Sequence, residues 1–429
     1  MADAFPNRAA IEAGQLAALR SLLGALRQSN PFYTPRLDAA GLDAHVLSLA
    51  EFMRRCPFTT KPELVADQAA HRPHGSNLTC APGRYTRLHQ TSGTRGAPLR
   101  WLDTPESWQW MLENWAEVYH AAGVTAADRI FFAFAFGPFL GFWTAFEAAA
   151  QLGSLCIPGG GLSSAARLRM ILENRATVLC CTPTYAIHLA EVAARESIDL
   201  ATGSVRRIIV AGEPGGSLPA TRARIQSLWL GASLCDHHGM TETGPVTREC
   251  PARAGVLHVI ERAYLAEVVD PATGAAALPG EGGELVLTTL GRIGSPVLRY
   301  RTGDWVKPAA QHSPCACGTH ELALEGGLLG RVDDMLIIRG VNIYPAAVEE
   351  IIHHCGGVAE YRARVTTHAA LAELTLTIEP PAGCADALAL ARTIERALHA
   401  AFQLRIPVQL AAPGSLPRFE MKARRWERA

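Results

Sequence analysis

Short apolar runs alternate with longer amphipathic stretches through the middle of the chain. The runs RIFFAFAF, TVLCCTP and RRIIVAGEP begin at residues 129, 177 and 206. The stretches SSAARLRMILENR and PATRARIQSLWLG lie between and after them and have helical periodicity. Buried strands that alternate with helices are typical of parallel βα units with both sheet faces covered. We therefore predict an α/β fold.

The pattern changes near residue 258. The segments HVIERAYLAEVVD, GELVLTTL and SPVLRYRTGDWV are separated by PATG and LPGEGG, which predicts hairpins. After GGLLGRVDDMLIIRG, the chain predicts a helix at PAAVEEIIHHC, a strand at LAELTLTIEP and a helix at ADALALARTIERALHAAF. The expected architecture is a large N-terminal domain of βα units with a β-rich subdomain, followed by a small α+β C-terminal domain.

The apolar segment within residues 129–167 is close in length to a membrane span. Glu147 is the only charged residue between Arg129 and Arg167, and IFFAFAFGPFLGFWTAF has 17 uncharged residues. Gly137, Pro138 and Gly141 interrupt this run, so we predict a buried strand, a loop and a buried helix.

Composition limits the classes of binding partner and the cellular compartment that we expect for the protein. The 429 residues include 40 basic and 40 acidic ones, a net charge of zero that disfavours nucleic acid or an anionic membrane as partner. The N-terminal MADAFPNRAAIEAGQ lacks the apolar core of a signal peptide, so we expect a cytoplasmic protein. Eleven cysteines fit reduced thiols or metal ligands better than disulfides.

The segment QTSGTRGAP at 90–98 could hold phosphate. Its hydroxyls and glycines allow donors and backbone to surround phosphate oxygens, and the residues concerned are Thr91, Ser92, Gly93, Thr94 and Gly96. An ordinary turn has similar composition. The segment lacks the terminal Lys-Ser/Thr of a P-loop, which disfavours that class of nucleotidase.

Four further segments accompany this loop: DHHGMTETGP at 236–245, YRTGDW at 300–305, GRVDDMLIIRGVNIYP at 330–345 and LPRFEMKARRW at 416–426. In their order and spacing the chain resembles the adenylate-forming acyl-CoA ligases. It also resembles the phenylacetate-CoA ligase branch, through NPFY at 30–33, CPFTTK at 56–61 and PCACG at 314–318.

This resemblance implies a two-step reaction. A carboxylate attacks ATP to form an acyl-AMP with release of pyrophosphate, and coenzyme A then displaces AMP. Mg²⁺ is the implied metal, and the branch implies an aromatic acid of the benzoate, aminobenzoate, hydroxybenzoate or arylacetate type. An adenylation enzyme that loads a carrier protein is the alternative, and a non-catalytic nucleotide sensor is a more distant one.

The resemblance also implies catalytic roles. Lys422 matches the lysine that serves adenylation, Glu242 the Mg²⁺ ligand, and Asp304 the acid that accepts the ribose hydroxyls, with Arg331 near the same sugar. Simpler interpretations are that Lys422 is a surface lysine, that Glu242 is a buried acid, and that Asp304 or Arg331 is half of a structural ion pair.

The base and the phosphates would be bound by two segments and one arginine. Gly212, Glu213 and Pro214 match the lining of the base, and the second segment comprises Asp236, His237, His238, Gly239, Met240 and Thr241. His238 stands where relatives usually carry an aromatic ring. Arg95 could replace the charge of a loop lysine, because position 97 is Ala97.

The C-terminal domain would be mobile. Asp333 matches the hinge position, which divides the chain into residues 1–332, with the nucleotide and acid sites, and 333–429, with the lysine. This small domain would adopt one pose for adenylation and a second pose for thioester formation. In the second pose, Gly340 would let the pantetheine arm of coenzyme A pass close to the backbone. Phe134, Phe136 and Phe139 are candidates for an aromatic acid pocket, or for the core.

Cysteine spacing suggests a structural zinc site. Cys315 and Cys317 form a C-x-C pair, and Cys250 with His258 completes a set of tetrahedral ligands. Free thiols are the alternative, and His312 or His320 could replace His258.

Overall fold

A computed structural model of the chain describes residues 5–91, 97–278, 280–310, 314–334, 336–339, 341–368, 371–418 and 425–428. The helices are α1 Arg8–Ser29, α2 Thr34–Ala40, α3 Leu49–Arg55, α4 Lys61–Ala70, α5 Pro105–Ala121, α6 Trp143–Leu152, α7 Ser164–Glu173, α8 Pro183–Arg195, α9 Pro219–Leu228, α10 Pro345–Cys355 and α11 Ala387–Phe402. Short 3₁₀ turns lie at Pro82–Arg84, Leu200–Thr202 and Val332–Asp334.

The strands are β1 Arg87–Gln90, β2 Arg100–Asp103, β3 Arg129–Phe132, β4 Leu155–Pro158, β5 Val178–Cys181, β6 Arg207–Val210, β7 Ser233–Asp236, β8 Gly239–Met240, β9 Gly244–Pro245, β10 Thr247–Glu249, β11 Val256–Val259, β12 Tyr264–Val269, β13 Gly283–Thr289, β14 Tyr300–Pro308, β15 Ala323–Arg331, β16 Leu336–Ile338, β17 Val341–Ile343, β18 Glu360–His368, β19 Leu371–Glu379, β20 Val408–Leu410 and β21 Trp426–Arg428.

The central element is a parallel sheet with strand order β4-β3-β5-β6-β7. Successive side chains of a strand point to opposite faces. Phe131, Leu179 and Ile208 pack in one core with residues of α7, α8 and α9. Ile130 and Phe132 pack in a second core with residues of α5 and α6. Both faces are therefore covered, which confirms the predicted βα units.

An antiparallel sheet with strand order β10-β11-β15-β14-β13-β12 forms the predicted β-rich subdomain. Leu19, Leu22, Leu23 and Leu26 of α1 lie on one face of the helix and pack in a core that also contains Leu298 and Tyr300. The N-terminal helices thereby cover this part of the subdomain.

The C-terminal part has its own hydrophobic core. The sheet β20-β19-β18-β21 and the helices α10 and α11 enclose it, with Val348, Leu376 and Ile394 at its centre. This confirms the predicted α+β character. The boundary at residues 332 and 333 remains a prediction.

The long apolar run forms strand β3, a loop at 133–142 and helix α6, as predicted. The predicted strand RIFFAFAF is shorter than expected, because Phe134 and Phe136 turn out of the sheet and pack against Phe142 and Trp143. Within the described ranges, no helix is both long and apolar enough to cross a membrane.

Candidate active site

The predicted nucleotide segments lie at the carboxyl ends of adjacent parallel strands, the edge where open α/β sheets bind ligands. Residues 211–217 follow β6, and residues 237–242 follow β7, its neighbour in the sheet. Gly212 has φ of +96°, a conformation that residues with a Cβ rarely adopt. The sequence therefore places a glycine where the chain turns away from β6.

A tight hairpin shapes the second segment. Strands β8 and β9 pair through Gly239 and Pro245, and a Cβ on Gly239 would lie 2.8 Å from the carbonyl oxygen of Gly244. Arg292 donates to the carbonyl of Thr241 at 2.7 Å and forms a fully buried bidentate pair with Asp103. These contacts fix the backbone that carries Glu242.

Asp304 lies between two basic side chains. Its Oδ1 lies 2.9 Å from Nη1 of Arg331, and its Oδ2 lies 3.0 Å from Nε2 of His238. Asp304 and Arg331 are direct cross-strand partners on β14 and β15. All three predicted residues therefore meet at one point, although they are far apart in sequence.

The contact between Asp304 and His238 is not an aligned hydrogen bond. Oδ2 of Asp304 and Nδ1 of His238 are both buried and have no hydrogen-bond partner among the described residues. Buried polar atoms are nearly always paired. Each of the two atoms is therefore available to a polar ligand.

Glu242 is the second buried carboxylate of the site. Its Oε1 accepts hydrogen bonds from Nζ of Lys61 and from the hydroxyl of Tyr300, both at 3.2 Å. Burial, with the negative charge of Glu242, raises the pKa of Tyr300 far above its usual value, so its phenol stays protonated and donates. Tyr300 and Asp304 both lie on β14, which brings the two carboxylates to the same part of the molecule.

The contact of Lys61 with Glu242 was not predicted from the sequence. The segment CPFTTK reaches the site because Thr59 bridges to Tyr300 on β14 and exchanges backbone hydrogen bonds with Arg299 and Arg301. Lys61 then begins α4 beside Glu242. The quoted CPFTTK motif was the only signal in the sequence.

Three predicted nucleotide residues direct their side chains elsewhere. The carboxylate of Glu213 accepts from the backbone N–H and hydroxyl of Thr184. The ring of His237 packs edge-on against Trp115. Asp236 accepts from Ser217 at 2.6 Å, and burial raises the pKa of its carboxyl to about 7. The side chains of these three residues are therefore engaged within the protein.

The predicted acid pocket is an aromatic cluster. Phe134 and Phe136 meet edge to face with ring centroids 4.7 Å apart, and both are half-buried. Phe139 is 36% exposed. The cluster lies in the loop after β3, which pairs with β4 and β5 in the parallel sheet.

The remaining predicted residues either have contacts in the structure or lie outside the described residues. Thr91 closes the base of its loop, since its hydroxyl accepts from the N–H of Leu99 at 3.0 Å, and Met240 packs beside the core that contains α1. Asp333 accepts from Nε of Arg331 at 2.9 Å in the 3₁₀ turn Val332–Asp334. Outside the described residues lie Ser92, Gly93, Thr94, Arg95, Gly96, Gly340 and Lys422.

The predicted zinc ligands converge. The ligand atoms of Cys250, His258, Cys315 and Cys317 all lie within 4.8 Å of one another. The sulfurs of Cys250 and Cys315 are 3.6 Å apart, and Sγ of Cys317 lies 3.5 Å from Nε2 of His258. Ligands about 2.3 Å from a tetrahedral ion are separated by roughly these distances. His258, rather than His320, completes the cluster.

Comparisons with known proteins agree with this geometry. The family model of AMP-binding enzymes matches residues 60–291, and the model of the AMP-binding enzyme C-terminal domain matches residues 340–427. A phenylacetate-coenzyme A ligase from Thermus thermophilus is 34% identical over 80% of this chain and 76% of its own length. Its counterpart from Escherichia coli is 30% identical over 96% of this chain and 93% of its own length.

A 2-hydroxyisobutyryl-CoA ligase is similar in structure. In the postadenylation state, in complex with R3-HIB-AMP, it matches with a TM-score of 0.92 at 28% identity, over 99% of this chain and 90% of that chain. In the thioesterification state, with 2-HIB-AMP and CoA, the TM-score is 0.70 at 29% identity, over 98% of this chain and 90% of that chain. The arrangement of the present chain therefore follows the postadenylation state. The chain belongs to the AMP-binding enzyme family, as an AMP-forming acid–thiol ligase related to the phenylacetate-coenzyme A ligases.

Proposed function

We propose that the chain is an aryl-CoA ligase that acts on an aromatic carboxylic acid. The acid attacks the α-phosphate of ATP, pyrophosphate leaves, and the thiolate of coenzyme A then displaces AMP from the acyl-AMP. The candidate acids are benzoate, aminobenzoate, hydroxybenzoate and arylacetate types. The half-buried cluster of Phe134 and Phe136, with the more exposed Phe139, supports an aromatic acid because aromatic edges and faces pair favourably.

The observation that carries this proposal is the pair of unpaired buried atoms on Asp304 and His238. A carboxylate oxygen with free lone pairs is the acceptor that ribose hydroxyls require. Arg331 neutralises the same carboxylate and keeps it in place. We infer that Asp304 binds the ribose and that His238 contacts the nucleotide or the acid beside it.

Glu242 would hold Mg²⁺. A carboxylate offers about four lone-pair positions, and Lys61 and Tyr300 use two of them. A buried, oriented carboxylate suits a hard cation that binds oxygen and keeps several waters. When bound, the ion supplies positive charge for the phosphates. Lys61 adds a half-exposed cation on the same side of the site.

Lys422 and Arg95 are proposed to act on the phosphates as well. Lys422 would neutralise the bridging oxygens during adenylation, where negative charge accumulates. Arg95 would supply the charge that a lysine provides in related loops. The relatives named above are ligases for coenzyme A, so we propose free coenzyme A as the acceptor, reached past Gly340 after rotation about Asp333.

Cys250, His258, Cys315 and Cys317 would hold a structural zinc ion. Four ligands from the protein close a tetrahedral site and leave no open position for substrate. The cluster joins β11 to the loop between β14 and β15, so the ion would stabilise this edge of the antiparallel sheet. Reduced thiols at this site favour a cytoplasmic location.

The experiment is a panel of aromatic acids, with 2-hydroxyisobutyrate included. Pyrophosphate release is measured for each acid with coenzyme A, with a phosphopantetheine carrier protein, or with neither. We expect thioester formation on free coenzyme A with at least one aromatic acid. Turnover only with the carrier protein would favour the alternative acceptor, and turnover only with 2-hydroxyisobutyrate would overturn the aromatic assignment.

A further inference from the structure

Helix α9 lacks a cap of its own. It begins at Pro219, and the preceding N-cap residue is Leu218, whose side chain makes no capping hydrogen bond. The first turn of a helix leaves backbone N–H groups without intrahelical partners and carries partial positive charge. A carboxylate near this turn would satisfy both needs.

The missing cap comes from the other domain. Oε1 of Glu350, on α10, accepts from the backbone N–H of Ala220 at 2.7 Å. One turn further along α10, Nδ1 of His353 lies 2.8 Å from the hydroxyl of Thr221. Residues three apart lie on one face of a helix, so Glu350 and His353 both contact the first turn of α9.

The capped turn is connected to the proposed base site. Residues 211–217 lead directly into α9, and Arg222 of α9 donates to the carbonyl of Gly216 at 3.0 Å. Ser217 is bonded to Asp236 at the end of β7. A contact that orders the start of α9 therefore also supports the loop that lines the base.

We propose that Glu350 and His353 are positioning residues that latch the C-terminal domain in the adenylation-side pose by capping α9 across the domain interface. The inference rests on the proposed function, in which the domain adopts two poses. The latch holds only while α10 packs on α9. Rotation about the hinge breaks both hydrogen bonds and leaves the first turn of α9 without its partner.

The test separates the two half-reactions. In Glu350→Ala, we expect pyrophosphate release in the absence of coenzyme A to slow by about 2- to 30-fold, the range that loss of an N-cap produces. Thioester formation from supplied acyl-AMP should be unchanged or faster. Glu350→Gln, which keeps an acceptor oxygen, should recover part of the adenylation rate.

His353 has a matched control on the same helix. His354 is exposed, whereas His353 faces α9. His353→Ala should act in the same direction as Glu350→Ala, and His354→Ala should leave both rates unchanged. Equal loss in both half-reactions, or no change in Glu350→Ala and His353→Ala, would overturn the latch.

Amide hydrogen exchange tests the latch without an activity assay. In Glu350→Ala, amides in residues 218–224 should exchange faster than in the unmodified protein, while peptides from α5 and β5 keep their protection. Unchanged exchange in residues 218–224 would also overturn the latch. If the unmodified protein releases no pyrophosphate with any acid, the proposed function fails, and this measurement still decides whether the cross-domain cap exists.

Discussion

Oδ2 of Asp304 lies 3.0 Å from Nε2 of His238. The ring nitrogen of His238 is therefore drawn toward the carboxylate that we assign to the ribose. Nη1 of Arg331 contacts the other oxygen at 2.9 Å, so both oxygens of Asp304 face a nitrogen-bearing side chain.

The first prediction concerns the charge of Asp304. Asp304→Asn keeps the shape of the side chain but removes the negative charge that accepts the ribose hydroxyls. Hydrogen bonds to charged groups contribute about 1.5–3 kcal/mol, so kcat/KM for ATP should fall by about 10- to 150-fold. Steady-state pyrophosphate release should show this loss with little change in KM for the acid. Asp38→Asn, an exposed acid paired with Arg27, is the control. Unchanged ATP kinetics would remove Asp304 from the nucleotide site.

The second prediction separates Glu242 from the tyrosine that positions it. Glu242→Gln should lower pyrophosphate release by about 100- to 1,000-fold, as expected for loss of a group that stabilises transition-state charge. Tyr300→Phe removes one neutral donor to this carboxylate and should cost about 2- to 12-fold, corresponding to about 0.5–1.5 kcal/mol.

A titration with Mg²⁺ distinguishes the two roles in these variants. Higher Mg²⁺ should partly restore the rate of Tyr300→Phe, because the carboxylate is still present. A Glu242→Gln variant with the Mg²⁺ dependence of the unmodified enzyme would contradict the assigned ligand.

The third prediction concerns the cysteine cluster. The purified protein should contain about one equivalent of zinc by elemental analysis. Cys315→Ser should lower the zinc content and the melting temperature, with KM for ATP nearly unchanged, because a structural ion contributes to folding. Cys384→Ser, at a free cysteine of the C-terminal part, is the matched control. Protein that is metal-free and equally stable would exclude the site.

The fourth prediction is a pH dependence from Glu349. Burial, with the negative charges of Glu213, Glu360 and Glu350 nearby, raises the pKa of this carboxyl to about 7. Arg425 opposes the shift, but it also pairs with Glu360. Glu349 lines a cavity between α8, α9 and the C-terminal part of the chain, and the other ionisable groups that line it are His188, Glu191, Arg224, His353, Tyr361 and Arg418.

The sign follows from the direction of the shift. Between its ordinary value near 4.5 and about 7, the folded protein holds a proton on Glu349 that the unfolded chain releases. The free energy of unfolding should therefore fall as the pH rises through this window. In Glu349→Gln the melting temperature should fall less steeply from pH 5 to 7.5. Asp236 contributes its own slope to both proteins, so parallel curves would contradict the assignment to Glu349.

Local structure could be predicted from the sequence where an element has a clear apolar pattern. Short, continuous apolar runs identified β3, β5 and β6, and helical periodicity identified α9, α10 and α11. The family motifs suggested that Asp304 and Arg331 lie near the same sugar, and the structure shows them as direct cross-strand partners. The strand predicted across residues 129–136 was too long. Aromatic residues are frequent in strands, but here Phe134 packs on Phe142 before α6 and Phe136 packs on Phe146 within α6.

Contacts between distant segments could not be read from local patterns. Lys61 and Glu242 are separated by 181 residues, and Ala220 and Glu350 by 130. The sequence named Cys250, His258, Cys315 and Cys317 as the zinc ligands, with His312 or His320 as alternatives to His258, and the pairing of β11 with β15 brings His258 to the cysteines. These features depend on tertiary packing, which periodicity and composition do not encode.

The most direct test of the proposed function is acid-dependent exchange of labelled pyrophosphate into ATP in the absence of coenzyme A. This exchange occurs only if the enzyme forms an acyl-AMP reversibly. We expect exchange with at least one aromatic acid, none without acid, and at least a tenfold lower rate in Asp304→Asn. The absence of exchange with every aromatic acid, or cleavage of ATP to ADP and phosphate, would contradict the proposed function.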